Sequence, residues 1–218
     1  MTRPGHKAIA ALRRLIRESR AAVIIEMAFA IPLLILAGFG GLEMANLVYA
    51  HTRISQIGLS AADNASRIAF GGALALPQIR ERDINDVLAG VEKQAGELDF
   101  KTRGRIILSS LERNTDGGQW IRWQRCYGDL DVPSSYGVAG DGATGTDLEG
   151  MGPEGRQVSA PPDSAVMFVE IVYDYKPLMY ERILGTRRIQ STAAFNVREG
   201  RDLRRIFNNE GAPVAACD

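Results

Sequence analysis

The sequence predicts an α+β fold in which one long N-terminal helix, first membrane-spanning and then amphipathic, packs on an antiparallel sheet of about four strands. Two observations lead to this fold class. Apolar residues dominate residues 21–41 and then recur at helical spacing to about residue 70. Further along, four segments are rich in β-branched and aromatic residues, and a turn-rich pentapeptide joins two of them as a hairpin.

The first 20 residues form a basic leader. They carry six basic side chains and one acid, although the whole chain has a formal net charge of zero. A basic block beside an apolar segment predicts a cytoplasmic N-terminus, so residues 51–218 would lie outside the cytoplasm. No basic patch in that later part indicates a nucleic-acid partner.

Residues 21–41 are long enough to cross a membrane. As a helix they would measure about 31 Å, which matches the apolar thickness of a bilayer. A secretory signal peptide is the alternative interpretation, but its apolar region is normally shorter and ends in a cleavage site between small residues. Here the apolar character continues through Leu42, Ala45, Leu47 and Val48. A retained membrane helix is therefore favoured.

Beyond the membrane segment the helix is predicted to continue with one apolar face. Residues at intervals of three and four share that face: Leu47, Ala50, Ile54, Ile57, Ala61, Ala65 and Ile68. One helix over about residues 22–70 follows. The glycines at 38, 40 and 41 are where we expect it to bend or to melt locally. The domain organisation is then a leader (1–21), this helix (22–71) and an extracytoplasmic α+β domain (72–218).

A second, shorter helix is predicted to start at Asp83, which resembles an N-cap residue. Its apolar stripe consists of Ile84, Val87, Leu88, Val91, Ala95 and Leu98. Strands follow over residues 104–113, 119–126, 164–175 and 186–199, and NTDGG separates the first two. Residues 127–162 are rich in glycine, proline and aspartate. Such a long loop, about 35 residues, suggests local disorder or a segment that faces a partner.

The residues that could carry chemistry are few. Only two histidines occur, His6 and His51, and no nucleotide-binding, hydrolase or metal-binding motif is present. We therefore expect no catalytic residue, no metal site, no cofactor and no small-molecule substrate. The two cysteines, Cys126 and Cys217, either form one disulfide or remain as two buried thiols.

Glu26 is the unusual residue of the membrane segment. A charge at the centre of a membrane helix costs about 2.5–3.5 kcal/mol, and such residues often have a function. One interpretation is a tolerated acid near the helix end. The other starts from a cut after Ala21, which would create a positive α-amino group at Ala22. The Glu26 carboxylate of one subunit could then neutralise the amine of the next and set their register.

Residues 20–69, RAAVIIEMAFAIPLLILAGFGGLEMANLVYAHTRISQIGLSAADNASRIA, resemble the N-terminal module of TadE-like proteins, the pseudopilins of Tad (Flp) pilus systems. The shared pattern is a small residue at the cut, an acid five residues later, a proline within the span, a second acid after it and an alanine-rich helix. Ala21, Glu26, Pro32, Glu43 and residues 61–69 supply it here. Later strands, VEIVYDYKPL and TAAFNVRE, also resemble the family. Ala21 and Met27 stand where the family usually has glycine and an aromatic residue.

The resemblance implies a pilin-like fold and a single-pass protein of the bacterial inner membrane with a periplasmic domain. It also implies cleavage between Ala21 and Ala22 by prepilin peptidase. The partners would be lipid, other pilins or pseudopilins and platform proteins, with the protein at the pilus base or in the fibre. Glu43 is either an ordinary interfacial acid or a contact to another subunit. The competing hypothesis is an unprocessed, membrane-anchored periplasmic binding or sensor domain.

Overall fold

The computed structural model describes residues 19–71, 76–178, 185–198 and 200–217. Most of the predicted leader therefore lies outside the described residues. The chain divides into two compact units, Met1–Asn46 and Leu47–Asp218. In the first unit the described residues all belong to a helix, and the second unit contains the sheet.

Helix α1 spans Ser19–Ser66 without interruption and contains Pro32. The expected melting at the glycines does not occur, since residues 38, 40 and 41 are all helical. Each glycine costs about 1 kcal/mol relative to alanine. That cost is small beside the loss of several helical hydrogen bonds in an apolar segment, where water cannot replace them.

Helix α1 ends earlier than the predicted residue 70. Beyond Ser66 the amide of Arg67 donates to the carbonyl of Asn64 at 3.1 Å, and Ile68 donates to Ala65 at 3.4 Å. These bonds span three residues instead of four, so the helix tightens and stops. The hydroxyl of Ser66 also donates to the carbonyl of Asp63 at 2.7 Å.

Helix α2 spans Glu81–Ala95, so the prediction that Asp83 is its N-cap is wrong. Arg80 holds the cap position, and Asp83 lies three residues further on. The Asp83 carboxylate accepts a hydrogen bond from the Arg80 amide at 3.3 Å and also pairs with the Arg80 guanidinium. This is the acidic half of a capping box, which explains why Asp83 carried a helix-start signal. A 3₁₀ turn, Gly96–Leu98, and a short helix α3, Phe100–Arg103, follow.

Four antiparallel strands form one sheet in the order β2-β1-β3-β4. They are β1 (Gly104–Arg113), β2 (Gln119–Tyr127), β3 (Ala165–Tyr175) and β4 (Arg187–Asn196). The fold class is therefore the predicted one, and the hairpin around NTDGG is confirmed. The pairing of β1 with β2 shifts between Ser110 and Leu111, so Arg122 has no register partner on β1, although its side chain lies 3.7 Å from the Glu112 carboxylate.

One face of the sheet packs against α1 and α2. The main core contains Ala50, Ile54, Ile57, Ala61 and Ala65 of α1, and Leu47 and Ile68 pack against it. Every residue of the predicted apolar face of α1 thus lies in this core or packs against it. Ile84, Leu88, Val91 and Ala95 of α2 are buried in the same core, and Val87 and Leu98 are partly buried.

The other face of the sheet is covered by residues 127–162. From residue 128 onward this segment has no helix or strand, as predicted, but it is well packed and not a loose loop. Met151 and Ala160 are buried in a second cluster with Phe168 of β3. The side chain of Gln119 accepts a hydrogen bond from the Ala160 amide at 2.7 Å and donates to its carbonyl at 3.2 Å. The physical reason is that β3 is apolar on both faces, and both must be shielded from water.

Candidate subunit-contact site on the N-terminal helix

The first part of α1 presents an apolar surface. Large apolar side chains stay exposed along its length, from Val23 at 52 % and Phe29 at 74 % to Leu36 at 59 %. Among the residues that the structure describes, one helix is long and apolar enough to cross a membrane, and its most apolar window is 0 % buried within the chain. A core helix of a soluble domain would be mostly buried. This surface instead suits lipid or the apolar helices of other subunits.

Glu26 lies on this surface. Its side chain is exposed, and the neighbouring Ile25 and Met27 are also more than half exposed. Within the described part of the chain no cation pairs with its carboxylate. Ala22 precedes Glu26 by four residues, so both lie on the same side of the helix, about 6 Å apart along its axis.

The predicted cut, between Ala21 and Ala22, falls within α1. Glu43, the second acid of the predicted pattern, is in a different situation from Glu26. It is only 6 % exposed, whereas the neighbouring Leu42 and Met44 are 51 % and 61 % exposed. Glu26 is therefore the exposed acid of this part of α1, and Glu43 is the buried one.

Cys126 and Cys217 form a disulfide with an S–S distance of 2.10 Å. The alternative of two buried thiols is thereby excluded in this structure. Near this bond the amide of Cys126 donates to the carbonyl of Ala215 at 2.9 Å. The 208–217 segment is also held on α2, where the side chain of Asn85 donates to the carbonyl of Pro213 at 2.8 Å. The disulfide thus fastens this segment to the edge of β2.

A buried charged cluster lies at the end of α1 and was not predicted. Arg201 is 6 % exposed and donates through Nη1 to the carbonyls of Ala65 and Ile68, at 3.2 and 3.4 Å. Glu112 on β1 is 4 % exposed and accepts a hydrogen bond from the Ser110 hydroxyl at 3.1 Å. Burial raises the pKa of Glu112 to about 7. Burial also lowers the pKa of Arg201, to about 10.

A weak signal for this cluster was present in the sequence. Glu112 follows an apolar residue within a predicted strand, and an acid in such a position is either exposed or buried with a partner. The ion-pair partner of Glu112 is Arg122 on β2, at 3.7 Å. The second cation nearby, Arg201, was not visible, because it lies 89 positions further along the chain. Glu170 is a second case: it is 3 % exposed and accepts hydrogen bonds from the Ser134 hydroxyl and the Ser135 amide.

Comparisons with known proteins identify no relative of this chain. No protein-family model matches the chain, and neither a curated protein nor a solved structure matches it. Functional arguments therefore rest on the residues and their geometry.

Proposed function

We propose that the protein is a minor pseudopilin of the TadE type, with a structural role in the assembly of a Tad (Flp) pilus or the related secretion machinery. One observation carries the proposal. Glu26 sits on an exposed apolar helix surface, one turn beyond the proposed cut, and no cation among the described residues pairs with it. The same helix continues into the core of a folded α+β domain. An anchor alone needs no such acid.

Cleavage after Ala21 supplies the missing cation. The new α-amino group at Ala22 would be positive at neutral pH. Two opposite charges that meet in an apolar environment attract strongly, and each offsets the desolvation of the other. Pairing Glu26 of one subunit with the Ala22 amine of the next would therefore favour one axial register between helices.

The disulfide supports the proposed orientation. Disulfides persist in oxidising compartments such as the periplasm and are rare in the cytosol. The bond between Cys126 and Cys217 joins two parts of the folded domain. It therefore fits a periplasmic domain on an inner-membrane anchor whose basic N-terminus stays in the cytoplasm.

The proposal is tested first by the mass of the protein purified from its host, with and without the prepilin peptidase. A chain that begins at Ala22 only when the peptidase is present is the expected result. A chain that keeps Met1 while the peptidase is active would favour the rival function, an unprocessed anchored binding or sensor domain.

The second test concerns the charge pair. Glu26→Ala should still be cleaved but should reduce assembly at least about tenfold, because an unpaired amine remains in an apolar environment. Glu26→Asp keeps the charge and should retain partial assembly. Glu97→Ala, which removes an exposed acid far along the chain, is the matched control. Normal assembly with Glu26→Ala would contradict the proposed pairing.

A further inference from the structure

The hydrogen-bond pattern of β4 shows which of its backbone groups face away from the sheet. The amide of Val197 donates to the carbonyl of Ala165 at 2.9 Å, and these two residues continue the register of β3 and β4. In an antiparallel pair, residues that exchange hydrogen bonds alternate with residues that do not. Odd-numbered residues of β4 therefore bond to β3, and even-numbered residues direct their N–H and C=O groups outward.

The opposite edge of the sheet is covered. On β2 the amide of Ile121 donates to the carbonyl of Asp141 at 2.9 Å, and its carbonyl accepts from the Gly140 amide at 2.7 Å. The amide of Cys126 is bonded to Ala215. Two chain segments, residues 140–148 and 208–217, thus occupy the edge of β2.

The edge of β4 is open in the part of the chain that the structure describes. No described backbone group bonds to the outward groups of its even-numbered residues: Arg188, Gln190, Thr192, Ala194 and Asn196. The strand is ten residues long and contains neither proline nor glycine. An uncovered edge of this length is a template for an additional strand.

We propose that the outer edge of β4 is a docking site for an extended, acidic segment of a partner protein, which joins the sheet as an additional strand. This inference is independent of cleavage, since a chain that keeps its leader would present the same edge.

Charge determines the kind of segment that fits. Residues 186–198 contain three arginines, at 187, 188 and 198, and no acid. Arg188 and Arg198 pair with Asp174 and Asp63, but both arginine side chains are 50 % exposed and such surface pairs are weak, so an incoming carboxylate can compete for them. Arg187 is exposed and has no acidic partner among the described residues. Acidic side chains on an incoming strand would therefore meet one unpaired arginine and two weakly paired ones.

A second copy of β4 is a poorer occupant than an acidic strand. In a full-length antiparallel pair of two β4 strands, Arg187 and Arg188 of each copy would lie beside Arg198 of the other. Like charges at facing positions destabilise a strand pair. The positive edge therefore favours a different, acidic chain over self-association.

Amide hydrogen exchange of the full-length protein in detergent micelles tests the open edge directly. The amides of Gln190, Thr192 and Ala194 should exchange at least about a hundredfold faster than those of Ser191 and Ala193, which bond to β3. Equal protection of both sets would overturn the proposal, because the edge would already be covered.

Binding is tested with a ten-residue peptide in which glutamate alternates with threonine or valine, and with its lysine counterpart. The acidic peptide should bind and slow the outward amides, and the lysine peptide should bind at least about tenfold more weakly. Binding of neither peptide, or equal binding of both, would overturn the proposal.

One substitution shows whether the peptide binds through the backbone of β4 or only through its side chains. Thr192→Pro removes an outward N–H, which an edge strand tolerates, and should weaken the acidic peptide about tenfold. Slow exchange of the inward amides will show that the sheet is intact. Thr192→Val keeps the N–H group and should bind within about twofold of the natural chain. Unchanged binding by a folded Thr192→Pro variant would contradict strand addition.

Discussion

Arg201 donates from Nη1 to the carbonyl oxygen of Ala65 at 3.2 Å and so occupies the buried end of helix α1. The last carbonyls of a helix have no partner within it and carry a partial negative charge. A buried guanidinium donates hydrogen bonds to these carbonyls and also offsets their partial negative charge. The contact fixes the end of helix α1 on the sheet, because a second nitrogen of Arg201, Nη2, donates to the sulfur of Met167 of β3 at 3.2 Å.

Replacing Arg201 should therefore destabilise the domain. We expect Arg201→Met to lower the free energy of unfolding by about 3 kcal/mol, since it leaves the carbonyls of Ala65 and Ile68 buried without their donor. Denaturant unfolding followed by tryptophan fluorescence measures this. Arg67→Met is the matched control, because Arg67 lies just past the same helix end but is 54 % exposed. Its loss should change stability by less than about 0.5 kcal/mol, and an equal effect of both variants would contradict the role of Arg201.

Glu112 should make stability depend on pH near neutrality. Burial raises its pKa to about 7, whereas the unfolded chain has the ordinary value of 4.5. Between these values the folded state binds more protons than the unfolded state, so stability must fall as pH rises and the loss is complete above about 7. The full effect is about 2 to 3 kcal/mol.

Glu112→Gln isolates this contribution, because glutamine keeps the shape and the acceptor for Ser110 but does not titrate. From pH 5 to pH 8 the natural chain should lose about 2 to 3 kcal/mol relative to the variant. Unfolding curves at several pH values measure the difference. With Glu97→Gln, which changes an exposed acid, the pH profile should match that of the natural chain. Parallel profiles for Glu112→Gln and the natural chain would show that Glu112 does not titrate in this range.

The disulfide should stabilise the domain by joining positions 91 residues apart. We expect Cys217→Ser to cost about 2 to 4 kcal/mol, since the unfolded chain gains freedom when the bond is absent. It should also free the edge of β2, so the Cys126 amide, now bonded to Ala215, should exchange faster. Reduction of the natural chain should reproduce both changes. A variant that is as stable as the oxidised protein would contradict this role.

Local periodicity made much of the fold predictable. The apolar face of α1 and the hairpin around NTDGG depend on neighbouring residues, so their signals lie within short windows. The start of α2 was misplaced because Asp83 acts from the third helical position and Arg80, an unusual cap, precedes it. The cover formed by residues 127–162 has no period at all. Only the apolar character of both faces of β3 could have indicated it.

The functional residues also divide into those that a local sequence pattern reveals and those that only the tertiary structure reveals. Glu26 was identified from its position alone, because an acid in an apolar span is conspicuous. The burial of Arg201 depends on long-range contacts with the end of α1 and with β3, and the charged segment around it has no pattern of its own. The open edge of β4 likewise required the strand order, which no local signal provides.

The residue before the proposed cut, Ala21, offers a last prediction. A peptidase that recognises small residues there should process Ala21→Gly at least as completely as the natural chain, because glycine is smaller still and is the usual residue in the family that this segment resembles. Ala21→Leu should leave the leader attached, since its side chain adds three carbons at that position. Intact mass of the protein from its host measures the processed fraction. Ala28→Leu, an equal increase in size beyond the cut and at an exposed position, is the matched control and should be processed normally. Complete processing of Ala21→Leu would contradict cleavage at this bond.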